Sequence, residues 1–275
     1  LEEQFETISA TVDENLEGNK INLSFNIEKK DRLIVEKINI FGNNVTRENV
    51  IRNQFEIDEG DPFNEILAKK TINNIKSLRF FKTVESNVEE GTEPNTRILN
   101  ISVEEKPTGE ISAGAGFSTN GASVMFGVRE NNYLGKGIKV DTNLFVNEES
   151  IKGIFSITNP NYNNSDKSVN LNIESSETNR LTDFGYKTNK SGFTLGTYFE
   201  YLDDMYLGLS TSNYYEKIET DSTASVRQKS QEGNYWDSFI NLNFDYDKRN
   251  QKFETNDGFR SRYLINLPII SETNS

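Results

Sequence analysis

The sequence predicts two folds in series. An α+β unit of order β-α-α-β-β occupies residues 31–106, and residues 107–275 hold about nine strands of an antiparallel transmembrane β-barrel. Three observations carry this reading. The texture changes at Lys106-Pro107-Thr108, from dense charge to a stretch richer in Gly, Tyr, Phe, Asn and Ser. Apolar residues at helical spacing occur before that point. After it only two-residue alternation is found.

In the first unit Arg32–Phe41 alternates, with Ile38 and Ile40 in one row, and stops at the turn signal Gly42-Asn43. Thr46 is placed as the cap of a short helix carrying Val50, Ile51 and Phe55. Asp61-Pro62 reads as an N-cap followed by a first-turn proline. The helix it opens carries Ala68, Ile72, Ile75 and Leu78 on one face. Phe81–Val88 and Arg97–Val103 follow as strands around the turn Gly91–Asn95. Residues 1–30 end in the alternating run Ile21–Ile27, which is similar to Ile98–Glu105. They read as the tail of a preceding copy of the same unit, truncated at its front.

The remainder contains nine alternating rows. They begin at Ile111–Phe117, Val124–Val128, Ile138–Val146, Gly153–Ile157 and Val169–Ile173. Phe193–Phe199, Met205–Leu209, Trp236–Tyr246 and Phe259–Leu267 complete the series. Positions between the apolar ones are mostly Ser, Asn, Gly, Lys or Asp. Two-faced strands joined as a meander suit an up-and-down membrane barrel better than a sandwich with Greek-key crossings. Nine is odd, and closed bacterial barrels normally have even counts, so the sequence reads as a fragment. The longest polar connection is placed at Lys217–Gly233.

Composition excludes much chemistry. The chain has no cysteine and no histidine, which rules out thiol nucleophiles, Cys/His zinc sites and His-dependent triads within it. With 43 acidic against 30 basic residues, net −13, a phosphate-binding face is not expected, so nucleic acid is not a partner. Asp183 and Asp203-Asp204 lack EF-hand spacing and read as solvated turns. Glu89-Glu90 and Glu148-Glu149 fall at strand ends or turns, not as a glycosidase pair. No catalytic residue, cofactor or metal ligand is assigned.

Several motifs in order resemble a known family. Ile38–Asn43, Gly60-Asp61-Pro62-Phe63 and Leu78–Val84 resemble a POTRA domain. Glu105-Lys106-Pro107, Gly114–Phe117, Asn132–Gly137, Thr158-Asn159-Pro160 and Asp245–Asn250 with Phe253 and Gly258 are similar to the first part of the barrel of BamA-type outer-membrane assembly factors. Asn256-Asp257-Gly258 departs from the Pro-containing turn usual there. The resemblance implies a periplasmic POTRA domain, last of several, beside a sixteen-strand barrel in the bacterial outer membrane. It implies no ATP use, no enzymatic step and no cofactor. The implied partners are unfolded β-barrel clients, accessory lipoproteins and outer-membrane lipid. The family's inward-folded loop, with its Arg-Gly-Phe motif, is expected after Ser275.

Three candidate sites follow. The resemblance makes the first barrel strand, Gly109, Glu110, Ile111, Ser112, Ala113, Gly114, Ala115, Gly116 and Phe117, a lateral gate. Its small residues weaken pairing and suit an edge that accepts an incoming strand by β-augmentation. It also makes the POTRA strand with Phe81, Lys82, Thr83, Val84, Glu85 and Val88 an edge open to clients or lipoproteins. Asp245, Asp247 and Arg249 form a polar motif expected to satisfy the barrel interior. Trp236, Tyr235, Tyr133 and Tyr162 are candidate girdle residues. A two-partner-type secretion channel and a soluble β-rich binding module remain as alternatives; the second requires rows such as Val169/Leu171/Ile173 to pack on another sheet.

Overall fold

The computed structural model describes residues 8–17, 20–29, 32–118, 121–249 and 255–271. The chain divides into two units, Leu1–Pro107 and Thr108–Ser275.

The first unit begins with an antiparallel hairpin, β1 (Ile8–Glu17) and β2 (Lys20–Lys29). Cross-strand pairs Val12/Phe25 and Leu16/Ile21 gather its apolar residues on one exposed face. Next come β3 (Ile34–Phe41), α1 (Glu48–Arg52), α2 (Glu65–Ser77), β4 (Phe81–Glu90) and β5 (Thr96–Glu105). The sheet order is β3-β5-β4, with β3 parallel and β4 antiparallel to the central strand. Ile38, Leu99 and Ile101 from the sheet meet Ile51, Ile72 and Ile75 from the helices in one core.

Both predicted helix starts are corrected. Thr46 does not cap α1: Arg47 occupies that position and makes no side-chain cap bond. The N–H groups of Asn44, Val45 and Thr46 instead all donate to the Glu105 carboxylate, at 2.9, 2.9 and 2.6 Å. Asp61-Pro62 does not open α2. Asn64 caps it, accepting from the N–H of Ile66 and Leu67, because the preceding residues are bonded to β3. Val35 donates to the Asp61 carbonyl at 2.9 Å, and Pro62 bridges to Ile34. Phe55 and Leu78 fall outside the helices yet still pack on the core. Gly42, with φ +90°, lies so close to β5 that an added Cβ would stand 2.0 Å from the Val103 carbonyl oxygen.

The second unit is one nine-stranded antiparallel meander. It runs β6 (Gly109–Ser118), β7 (Gly121–Tyr133), β8 (Ile138–Asn147), β9 (Ser150–Asn159) and β10 (Ser168–Arg180). After the turn α3 (Leu181–Phe184) come β11 (Tyr186–Leu202), β12 (Met205–Thr220), the turn α4 (Val226–Lys229), β13 (Gly233–Asp247) and β14 (Arg260–Ser271). All neighbours are consecutive, so β6 and β14 are its edges among the described residues.

β12 is longer than its alternation suggested. It continues through Lys217 and Ile218, paired on both sides, and on to Thr220 against β11, so the connection shortens to 221–232. Asn250 and Phe253 lie outside the described residues.

Register gathers the apolar rows on one face. Ile111, Val128, Thr142, Phe155, Ile173 and Phe193 lie in line across six strands. No second sheet covers them among the described residues, and Leu195 stays 48% and Phe117 91% exposed. Buried apolar side chains lie between Val35 and Val103, apart from Ala224. Beyond Ser175, Ser191, Tyr215 and Trp236 the same face turns to Glu177, Asn189, Lys217 and Asn234. From Trp236 to Tyr246 the strand rises about 33 Å, which at a tilt of about 40° spans about 25 Å, the height of a membrane barrel's apolar band. No described helix is long and apolar enough to cross a membrane.

The first unit carries its own pH sensor of stability. Hydrogen bonds from the hydroxyls of Thr96 and Thr92 hold the Glu36 carboxyl at about 2, well below its ordinary value. The contribution is therefore full above about pH 4.5 and is lost as pH falls toward 2. Acid unfolding of the 32–106 unit, followed by circular dichroism, should show a smaller loss over that window in Glu36→Gln than in the parent.

Candidate functional site: a bare sheet edge and a tied sheet wall

The two edges of the first unit's sheet differ. The outer side of β3 is closed by residues 59–63 and by α1. Gly60 donates to the Val35 carbonyl (2.8 Å) and Phe63 to that of Leu33 (2.7 Å). The Glu59 carboxylate accepts from the Ile38 N–H (2.9 Å), and Arg52 donates to the Ile38 carbonyl (3.1 Å). Among the described residues β4 pairs with β5 alone. Phe81 and Val84 point into the core, whereas Lys82, Thr83, Glu85 and Val88 are exposed. Lys82 reaches Glu104 at 2.9 Å, and that carboxylate raises the lysine above its usual pKa.

β6 is the corresponding strand of the second unit. Its ladder to β7 is complete, from Gly109/Glu130 to Ser118/Gly121. Side chains add little to it. Thr108 donates to Glu130 at the strand's start, and Ser123 Oγ donates to the Gly116 carbonyl at 3.4 Å. Ile111 and Phe117 are 77% and 91% exposed on the apolar face, and Gly114 and Gly116 fall on the polar one.

At the far side the polar face is tied across four strands. Asp245 on β13, 3% exposed, accepts from both Arg260 and Arg262 of β14. Arg260 Nε lies at 2.8 Å and Arg262 Nη2 at 2.9 Å. From the other direction Tyr198 of β11 crosses Gly208 of β12 and donates to Asp245 at 3.4 Å. Tyr198 stacks on Tyr206, ring centres 5.6 Å apart. Asp247 is held by both Arg249 Nε and Nη2 at 2.7 Å.

The sequence motif thus splits. Asp247 and Arg249 pair with each other, while Asp245 takes Arg260, Arg262 and Tyr198, which sequence reasoning missed. Only Gly258 near Asp245 in the motif hinted at them: with φ +89° and the Lys248 carbonyl 2.0 Å from an added Cβ, it turns β14 back onto β13. Glu89-Glu90 ends β4, paired with Ile98 and Arg97 of β5, while Glu148-Glu149 and Asp203-Asp204 lie in the turns after β8 and β11. Glu149 holds Arg180 at 2.7 Å, and Asp204 holds Lys248 at 3.3 Å. Trp236 lies on the apolar face, Tyr133 ends β7, and Tyr162 lies in a one-turn 3-10 helix; Tyr235 donates to the Gln231 carbonyl instead.

This geometry can now be set beside known proteins. Residues 33–106 match POTRA, described as a surface antigen variable number repeat. Residues 132–273 match the Omp85 superfamily domain. This chain belongs to the Omp85 superfamily. Outer membrane protein assembly factor BamA of Nitratidesulfovibrio vulgaris is 27% identical over 168 residues, 60% of this chain and 21% of that protein. The crystal structure of BamA from Haemophilus ducreyi lacking POTRA domains 1–3 superposes with a TM-score of 0.72 at 18% identity, covering 96% of this chain and 54% of that one. CdiB from Acinetobacter baumannii gives 0.51 at 11% identity, covering 96% and 51%. The chain therefore spans about a fifth of its curated relative and about half of these solved chains.

Asp245 makes the Omp85 wall testable. Removing the one acceptor costs about 1–3 kcal/mol, because both arginines stay partly solvated and Arg260 keeps Asp247 at 3.7 Å. Asp245→Ala in the full-length protein should lower the temperature at which its folded band shifts on semi-native gels, and Asp247→Ala should lower it less.

Proposed function

We propose that this chain is part of an assembly factor that folds and inserts β-barrel proteins into the bacterial outer membrane. The observation that carries the reading is β6: a complete backbone ladder to β7 supported by almost no side-chain ties. The apolar face of the nine strands faces lipid, and the POTRA unit lies in the periplasm. In lipid an unsatisfied row of N–H and C=O groups costs several kcal/mol per group, so the β6 edge must be paired. A partner strand held mostly by backbone bonds can be exchanged for a client's strand at little net cost, and those bonds are indifferent to client sequence. No covalent step and no nucleotide is needed, because each new ladder bond replaces an equivalent one.

The β4 edge, from Phe81 to Val88, is a second strand-accepting surface, for unfolded clients or accessory lipoproteins. The β1–β2 hairpin is the last hairpin of a preceding POTRA unit. Its exposed Val12, Leu16, Leu23 and Phe25 would be covered by that unit's helices, as Leu99 and Ile101 are here. The secretion-channel alternative is less well supported, since BamA superposes better than CdiB and the sequence relatives are named assembly factors.

Single cysteines placed along 110–117 of the full-length protein should crosslink to the terminal strand of a stalled client barrel. Equivalent cysteines on β9 should not. Equal yields from both strands, or none from β6, would contradict the proposal.

A further inference from the structure

On the apolar face, β12 grades from charge to hydrocarbon. Lys217, Tyr215, Asn213, Thr211, Leu209 and Leu207 follow one another at every second position. Strands alternate in direction from β6, which starts where the POTRA unit ends. Met205 therefore lies at the POTRA end of the sheet and Lys217 near the far end, in the outer leaflet.

Asn213 and Thr211 are out of character on this face. The β11 residues in register with them are Phe193 and Leu195, and Thr211 faces Ile240 on β13. Tyr215 and Trp236, opposite each other, mark an aromatic level. Asn213 lies about 5 Å and Thr211 about 10 Å nearer the middle of the apolar band, at about 3.3 Å per residue and a tilt of about 40°. The polar groups are joined in a line. Trp236 Nε1 donates to Ser238 Oγ at 3.1 Å, Ser238 Oγ donates to Asn213 Oδ1 at 2.7 Å, and Asn213 Nδ2 donates to Thr211 Oγ1 at 3.3 Å. Ser238 is 6% exposed, so the line is anchored in the wall. It ends in donors: the Thr211 hydroxyl hydrogen and the second Asn213 amide hydrogen have no acceptor among the described residues. In hydrocarbon such donors cost free energy until an acceptor reaches them.

We infer that Thr211 and Asn213 hold the acyl region of one outer-leaflet lipid, a phosphorylated sugar amphiphile whose acyl chains carry amide and ester carbonyls below the headgroup. The inference rests on the reading of this face as lipid-facing and names the lipid it takes. Those carbonyls are acceptors at the depth where the line ends. The rings of Tyr215 and Trp236 lie at the level of the sugars, and Lys217, 46% exposed, stands above them at the level of phosphate. Glu219 lies 2.5 Å from Lys217, so the phosphate shares that lysine with a carboxylate, and the acyl bonds carry the selectivity. A glycerophospholipid has its ester carbonyls beside the headgroup and none deeper, which leaves Thr211 unmet. A lipid held in this column fixes the height of β12 and β13 in the outer leaflet.

Native mass spectrometry of the full-length protein tests this, with lipid A or phosphatidylethanolamine added at equal concentration. One lipid A should bind, and Thr211→Val with Asn213→Leu should weaken it about five- to tenfold without changing phosphatidylethanolamine binding. Thr211→Val alone, which leaves the Ser238–Asn213 bond in place, should weaken it about two- to fivefold. Equal lipid A binding by the parent and both variants would overturn the inference. Equal loss of both lipids would overturn it too, since the donors would then serve ordinary ester carbonyls. The lipid-facing reading is checked separately. A fluorophore on Phe244→Cys, in full-length protein otherwise free of cysteine, should be quenched in bilayers by brominated acyl chains. No quenching would overturn that reading and the inference with it, whereas quenching with unchanged lipid A binding would overturn the inference alone.

Discussion

Everything in this chain turns on where backbone hydrogen bonds are closed and where they are left open. A β-sheet satisfies its interior strands automatically and leaves two edges that do not satisfy themselves. The POTRA sheet closes one edge with its own loop: residues 59–63 run along β3 and supply its missing partners. The other, β4, pairs with β5 alone among the described residues. The nine-stranded sheet leaves β6 as an edge whose outer backbone groups must find a strand if the sheet lies in lipid.

Side chains grade the stability of the second sheet across its width. Around Asp245, residues of β11, β13 and β14 are bonded through one carboxylate, with β12 clamped beneath Tyr198 at Gly208. A shift in register of any of these strands would break several charge-assisted bonds together. Toward β6 the ties thin out, through Arg129/Asp141 at 2.5 Å between β7 and β8, to a strand whose polar face carries Gly114 and Gly116. The wall is tied more heavily around Asp245 than at β6.

Much of this was legible in the sequence, because barrel strands announce themselves by a strict two-residue period. All nine rows, their meander order and the β-α-α-β-β unit follow from local pattern alone. The misread parts share a physical cause. Thr46 and Asp61 look like helix caps locally, but Glu105 and β3 claim their backbone groups from 59 and 26 residues away. β12 looked short because past Leu209 the apolar alternation breaks into Ser, Thr and Asn on both faces. Arg260, Arg262 and Tyr198 escaped notice because they meet Asp245 only through register between strands, which no window of sequence contains.

The most direct test of this gradient is amide hydrogen exchange on the full-length protein in lipid bilayers, without client. The account predicts that amides of 110–117 exchange at least about tenfold faster than those of β11–β13, since local opening follows the number of ties that must break. Equal protection across the sheet would contradict it, for β6 would then be as firmly held as the wall and no strand could displace its partner there.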